Sequence, residues 1–464
     1  MRRLLAALSI AVMALLFFGT SLWADEGPYM LVRVDVNPEV KIVPLLELGL
    51  DIVDGVRDQY LDVVCFPGDL SRIRALGYQA EVIIPDMVQY YAALSPTEDM
   101  GGFRTYSEAV TELFQIHDDH PDITTEVFSI GQSIEGRELY VIKVSDNPEL
   151  DEDEGEIFFN GLIHAREPIG MAICFELLNQ LTDRYGIDPD ITYFVDNREI
   201  WFLPVFNPDG YVYNEQIAPS GGGMWRKNRR DNGGGSYGVD LNRNWGFNWG
   251  YNNIGSSGSP GSETYRGTAP FSEPETEAVR QFCNEHSFAI VLNFHSYGDE
   301  MLYSWSIPYA PWGYTPDNAT FQMLSLTMQQ WNGYVYGTAW EVLYEVNGDA
   351  NDWQYGEQTE KPKSYAWVFE VGPSFWPSPS SIPGLIAENM DPCYFLIDQA
   401  ENYMPTAVSL AYIDGVIDDQ VGGNGNGGLD PGESALFTPT LRNNGWETGT
   451  GISATLFTPD PYVN

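Results

Sequence analysis

Few residues in this chain are able to do metal or acid–base chemistry through imidazole. There are five histidines in 464 residues, so such a site must draw on His117, His120, His164, His286 and His295. His164, Ala165, Arg166 and Glu167 form an H-x-x-E pattern. Imidazole and carboxylate both bind Zn²⁺ well, and at this spacing on a strand-to-helix corner they can point to one spot. Alone the pattern is weak, because a Glu-rich chain meets it by chance. His295 closes the apolar run Ala289 to Phe294, where an imidazole is costly unless hydrogen-bonded or metal-bound. A single such histidine reads as a satisfied core residue. With the H-x-x-E pair it completes a His₂Glu set that predicts one catalytic Zn²⁺ with a position left for water.

Charge supplies the second anomaly. Asp and Glu number 66 against 23 Lys and Arg, a net charge of −43, which argues against a nucleic-acid partner. Against that background Arg226, Lys227, Arg229 and Arg230 stand close together, and Arg243 lies in Asp240-Leu241-Asn242-Arg243-Asn244-Trp245. An ion-paired surface patch is one reading. The interleaving of charged and aromatic residues favours a recognition site, and guanidinium grips a carboxylate through two parallel bonds.

Two other motifs fail on context. Gly423, Gly425 and Gly428 fit G-x-G-x-x-G, but no strand leads in and Asp-Pro-Gly leads out where a helix should begin. Gly234, Ser236 and Gly238 fit the serine-hydrolase elbow, which needs a strand before and a helix after; the flanking residues from Asp231 to Gly235 read as loop.

The elements that must position these residues divide the chain into four parts. Arg2 and Arg3 followed by an apolar run to Leu22 and then Ala24 read as a secretory signal peptide over residues 1–24. No later stretch is apolar enough to span a bilayer, so a secreted, soluble, monomeric protein is expected. Residues 25–100 give a β-α-β-β-α-β pattern suited to a small ferredoxin-like α+β module, in which Pro44 shortens the first helix. A polar linker runs from Ser95 to Gly102. Residues 103–405 mix amphipathic helices with four apolar runs: Ile157 to Phe159, Ile200 to Phe206, Ala289 to Phe294 and Tyr365 to Phe369. Such runs fit strands buried on both faces of an α/β sheet. Each is followed by a polar residue, Asn160, Asn207, His295 or Glu370, and ligands gather at the carboxyl ends of such strands. Ile169, Ile173, Leu177, Leu178 and Leu181 form one helical core stripe, and Ser272 to Glu275 reads as a capping box. From residue 410 to 464 two strand-like stretches, Ala435 to Leu441 and Ile452 to Phe457, predict a partial, truncated β-sandwich. The acidic loop over 414–433 could hold Ca²⁺, although its spacing is not that of an EF-hand and a solvated loop explains it as well. Cys65, Cys174, Cys283 and Cys393 show no paired spacing and read as single buried thiols.

Taken together, H-A-R-E at 164–167, W-R-K at 225–227, D-L-N-R-N-W at 240–245, F-H-S-Y at 294–297, the loop from Tyr344 to Trp353 and F-E at 369–370 resemble the zinc metallocarboxypeptidases of the carboxypeptidase A type. The resemblance covers the 103–405 region. It implies a three-layer α/β/α domain with a mixed central sheet, in which His164, Glu167 and His295 hold zinc, Arg226 polarises the scissile carbonyl and Glu370 is the general base. It further implies that Asn242, Arg243 and Tyr344 bind the free α-carboxylate at a peptide C-terminus, with Arg166 and Tyr297 as further substrate contacts. Asn351 takes the position at the floor of the side-chain pocket, with Asp349 nearby, which implies broad acceptance. Residues 25–100 resemble, more loosely, the propeptides of secreted members. Three other functions compete: a cell-wall peptide hydrolase of the same fold, an inactive secreted binding module, and a serine hydrolase using Ser236.

Overall fold

In the computed structural model, the described residues are 27–36, 42–56, 58–94, 99–308, 313–405, 410–418, 420 and 436–443. The expected signal peptide and most of the 414–433 loop, including its glycine motif, lie outside them. So does the strand expected over 452–457.

The body is built on an eight-stranded mixed sheet. Its centre is four adjacent parallel strands, in spatial order Tyr365–Glu370, Ile290–His295, Gly155–Asn160 and Arg198–Leu203. These are the four apolar runs of the sequence, nearly every residue buried. Antiparallel strands flank them: Glu138–Val144 beside Arg198–Leu203, and Glu300–Tyr303 beside Tyr365–Glu370. One boundary differs from expectation. The strand expected over Ile200 to Phe206 stops at Leu203, and Asn207 instead caps the next helix, Pro208–Ile217, its Oδ1 accepting from Gly210 N at 3.0 Å.

Helices cover the sheet. Ile169–Arg184 buries Ile169, Ile173, Leu177, Leu178 and Leu181 completely, as the 3.6-residue stripe requires. Helix Pro274–Glu285 has the predicted proline in its first turn but no capping box. Its first residues are engaged elsewhere: Asn244 Oδ1 accepts from Glu273 N at 3.1 Å, and Glu275 Oε1 accepts from Ile134 N at 3.1 Å. All four cysteines are free and buried.

The N-terminal unit has its own core around Val32, Val34, Leu61, Val63 and Ile73. Its four-stranded antiparallel sheet runs in the order Asp51–Val56, Tyr60–Cys65, Met30–Asp35, Ala80–Ile84. Pro44 sits in the first turn of a helix only four residues long, Val43–Leu46. An unforeseen helix, Met87–Leu94, follows. The stretch read as a polar linker is partly docked: Met100 is buried and its N–H bonds Pro219 O at 2.8 Å. Near the C-terminus, Leu410–Asp418 pairs antiparallel with Leu436–Asn443. Asp414 and Asp418 therefore lie on a strand rather than in the loop where the sequence placed them. No helix of the described residues is long and apolar enough to cross a membrane.

Candidate active site

His164 and Glu167 sit in the turn between strand Gly155–Asn160 and helix Ile169–Arg184, and His295 ends the neighbouring strand. The fold thus gathers them at the carboxyl edge of the sheet. His164 Nδ1 lies 3.0 and 3.1 Å from the two oxygens of Glu167. His295 Nδ1 lies 3.0 Å from Glu167 Oε2 and 3.0 Å from His164 Nδ1. All three are at least 97% buried. Burial raises the Glu167 carboxyl, but the two imidazoles more than reverse it and hold the group well below the usual carboxylate range.

The tautomer of His164 is set from behind. Its Nε2 faces Asp240 Oδ1 at 3.1 Å, and a carboxylate there accepts the ring proton and leaves the Nδ1 lone pair free. Two imidazole nitrogens and a carboxylate then converge within 4.8 Å, a donor set suited to zinc. The remaining histidines are committed elsewhere: His117 to Thr124, His120 to Asp183 and His286 to Glu156.

Asp240, the first residue of the D-L-N-R-N-W motif, joins two functions. Its Oδ2 accepts from Arg226 Nε at 3.2 Å and Nη2 at 3.1 Å. Burial would raise its carboxyl, but Arg226, then Arg243 and His164, hold it well below the usual range. Held by that fork, Arg226 turns Nη1 toward Glu167, 3.5 Å away. A carboxylate two residues before the Asn-Arg pair, beside a histidine seeking a proton acceptor, was the signal available.

Arg243 and Tyr344 meet in the same cavity as His164, Glu167, Arg226 and Glu370. Arg243 Nη2 donates to the Tyr344 hydroxyl at 3.3 Å, while Nε and Nη1 bond the carbonyls of Gly255 and Asn242. Asn242 Oδ1 accepts from Ala350 N at 2.9 Å, so its amide nitrogen faces His295, 3.4 Å away. Gly348 explains how the loop comes so close. It has φ +72°, and a side chain there would stand 2.7 Å from the Arg243 carbonyl oxygen. This brings Asp349 and Asn351 into the cavity wall. Glu370 ends its strand opposite Glu300, half-buried, and burial pushes its carboxyl up to about 8.

Two predicted residues stand apart from the cavity lining. Tyr297 is buried, edge-on to Phe375 with ring centroids 4.9 Å apart. Arg166 is fully buried over the Phe375 ring, and its Nη2 donates to Asp51 of the N-terminal unit. Among the described residues its Nε and Nη1 have no hydrogen-bond partner. Ser236 lies on a short hairpin strand, its hydroxyl spent on Pro260 O at 2.6 Å; no helix follows, so the elbow is absent.

The N-terminal unit reaches into the cavity. Ile52 and Val53 line it, Asp51 Oδ1 stands 3.7 Å from Arg226 Nη1, and Tyr344 donates to Ile52 O at 3.2 Å. Next to this contact three carboxyls face one another across the boundary. Burial, then Asp54 and Asp299, pushes Glu300 up to about 9; burial also raises Asp54, to about 6, and Asp299 adds to it. Acids whose pKa rises on docking take up protons as they dock. Docking is therefore strongest below the ordinary carboxylate range, about pH 4, and weakens as pH rises through 6 toward 9. Hydrogen exchange of strand Asp51–Val56 in the intact chain should be faster at pH 9 than at pH 6 after correction for intrinsic rates; equal protection would refute it.

Comparison with known proteins agrees with the geometry. The sequence profile of the zinc carboxypeptidase family matches residues 110–392. A zinc carboxypeptidase of Saccharothrix mutabilis subsp. capreolus is 33% identical over 357 residues, 72% of this chain and 78% of the relative. Carboxypeptidase B of Rattus norvegicus is 35% identical over 263 residues, 55% of this chain and 60% of the relative, so the match spans under two thirds of that protein. The crystal structure of carboxypeptidase A from Helicoverpa armigera has a TM-score of 0.70 at 24% identity, covering 82% of this chain and 98% of that one; it shares the fold. With a profile match over more than half its length, the chain belongs to the zinc carboxypeptidase family.

Proposed function

We propose that the protein is a secreted metallocarboxypeptidase that removes one residue at a time from the C-terminal ends of peptides and proteins, with zinc held by His164, Glu167 and His295. The observation that carries this reading is the convergence of that donor set, Glu370 and the Arg243–Tyr344 pair on one cavity. Zinc bound there supplies Lewis acidity and a water of near-neutral pKa. Glu370 takes a proton from the attacking water and returns it to the leaving amine. Arg226, fixed by Asp240, offers Nη1 to the oxygen that becomes negative. Asn242, Arg243 and Tyr344 hold the substrate's free carboxylate, so a chain end is selected over an internal bond. Arg166, with two donors unpartnered, is a further contact for the substrate.

The N-terminal unit is, on this reading, a covering module. It lines the cavity with Ile52 and Val53 and binds Arg166 through Asp51. Equal activity before and after its proteolytic removal would sink that part of the proposal.

The reading is tested with chromogenic peptides bearing either a free or an amidated C-terminus. Only the free acids should be cleaved, a chelator should abolish cleavage, and added Zn²⁺ should restore it. Turnover untouched by the chelator would remove the metal; cleavage of the amides would remove the carboxylate role of Arg243.

A further inference from the structure

Arg226 and Arg243 stand on chain that no strand ladder holds. Residues 225–230 form no regular element, and Leu241–Arg243 is a single 3₁₀ turn. On the proposed reading one arginine faces the reacting carbonyl and the other the end of the substrate, so their separation matters: a displacement of about 1 Å at such a site costs about 10²-fold in rate. Two asparagines with no exposed surface hold the two segments. Asn228 pairs with Val239 twice, its N–H donating to Val239 O at 3.1 Å and its Oδ1 accepting from Val239 N at 2.8 Å. This ties the Arg226 segment to the residue before Asp240. Asn244, next to Arg243, donates through Nδ2 to Arg266 O at 2.9 Å and to Ala269 O and Ser272 Oγ at 3.0 Å.

Both asparagines converge on one residue. Asn228 Nδ2 donates to Glu273 Oε2 at 2.7 Å, and Asn244 Oδ1 accepts from Glu273 N at 3.1 Å. Glu273 has no exposed surface and sits at the N-cap of helix Pro274–Glu285, yet its side chain makes no capping bond to that helix. Its oxygens are spent on Asn228, on Arg230 Nε at 2.5 Å and on Ser272 Oγ at 2.8 Å. Behind it the helix packs Val279, Phe282 and Cys283 into one cluster with Phe158 and Val291 of the sheet, and a buried polar network satisfied throughout and anchored to such a core is stiff. We infer that Glu273 is a positioning residue for the hydrolysis: through Asn228 and Asn244 it fixes how far Arg226 stands from Arg243, and so how many backbone bonds separate the bond cut from the carboxylate held. The inference rests on the proposed roles of those two arginines. Glutamine at this position keeps an acceptor for Asn228 and can donate to the Ser272 hydroxyl, whereas alanine leaves the buried amide of Asn228 without that partner.

The test changes that spacing from the substrate side, with the full zinc-loaded chain after limited proteolysis between the N-terminal unit and the body. Acylated peptides are made in pairs ending in leucine or β-homoleucine, phenylalanine or β-homophenylalanine, and lysine or β-homolysine, so that each β member carries one extra methylene between the scissile amide and the carboxylate. The unsubstituted protein should favour the α member by at least about 100-fold in kcat/KM. Glu273→Ala should retain zinc, lose about 10²-fold on the α peptides and bring the ratio within about tenfold, while Glu273→Gln should keep the ratio within about threefold of the original. A merely structural loss lowers both members of a pair alike and leaves the ratio standing, so an unchanged ratio in Glu273→Ala overturns the inference. If that variant does not fold, Glu273→Asp, which keeps the buried charge but ends one methylene short of Asn228, decides the matter by the same ratio. Preserved ratios sink this inference alone, whereas failure of the unsubstituted protein to cleave any α peptide overturns the peptidase reading as well.

Discussion

Replacing Glu370 by glutamine is expected to leave zinc binding intact and to lower kcat about 10³-fold. Glutamine keeps the shape of the side chain at the end of strand Tyr365–Glu370, facing the same cavity as His164 and Glu167. What it loses is the ability to carry a proton. The environment of Glu370 suits that task, since burial, opposed in part by His295, pushes its carboxyl up to about 8, and a base is most useful when its pKa lies near the working pH. Zinc content by atomic spectroscopy, measured beside kcat, separates the possibilities. Loss of zinc would make Glu370 a ligand, and full turnover would end its assignment as base.

Arg226→Ala should lower kcat about 10²–10³-fold while changing KM only a few-fold. The guanidinium is held by two bonds to Asp240, leaving Nη1 facing the metal-ligand cluster. A donor fixed before reaction strengthens as charge develops on the substrate oxygen, so its removal is felt in the transition state more than in the ground state. Arg226→Lys should rescue little, because an ammonium cannot both grip Asp240 as a fork and present a second donor. An unchanged kcat with a raised KM would make Arg226 a binding residue only.

Much of the fold and the metal site was legible in the sequence, for reasons visible in particular residues. Four strands buried on both faces leave continuous apolar runs, and the same burial makes a terminal histidine or glutamate conspicuous: His295 and Glu370 were found that way. What stayed hidden depends on long-range pairing. Asp240 is one carboxylate among 66 acidic residues, and nothing local reveals that His164 and Arg226 share it. The capping box at Ser272 failed because the Glu275 carboxylate, which would have to reach back to the Ser272 N–H, is taken by Ile134 N and Asn228 Nδ2, both distant in sequence.

The bond from Tyr344 to the carbonyl of Ile52 has a temporal consequence. An enzyme that requires a free chain end cannot cut the internal bond between its own N-terminal unit and its body, nor can a second copy of it. If the covering role holds, the protein cannot start itself: the amount of working enzyme is set by an endopeptidase acting on it, and its activity becomes a record of when that other protease was present.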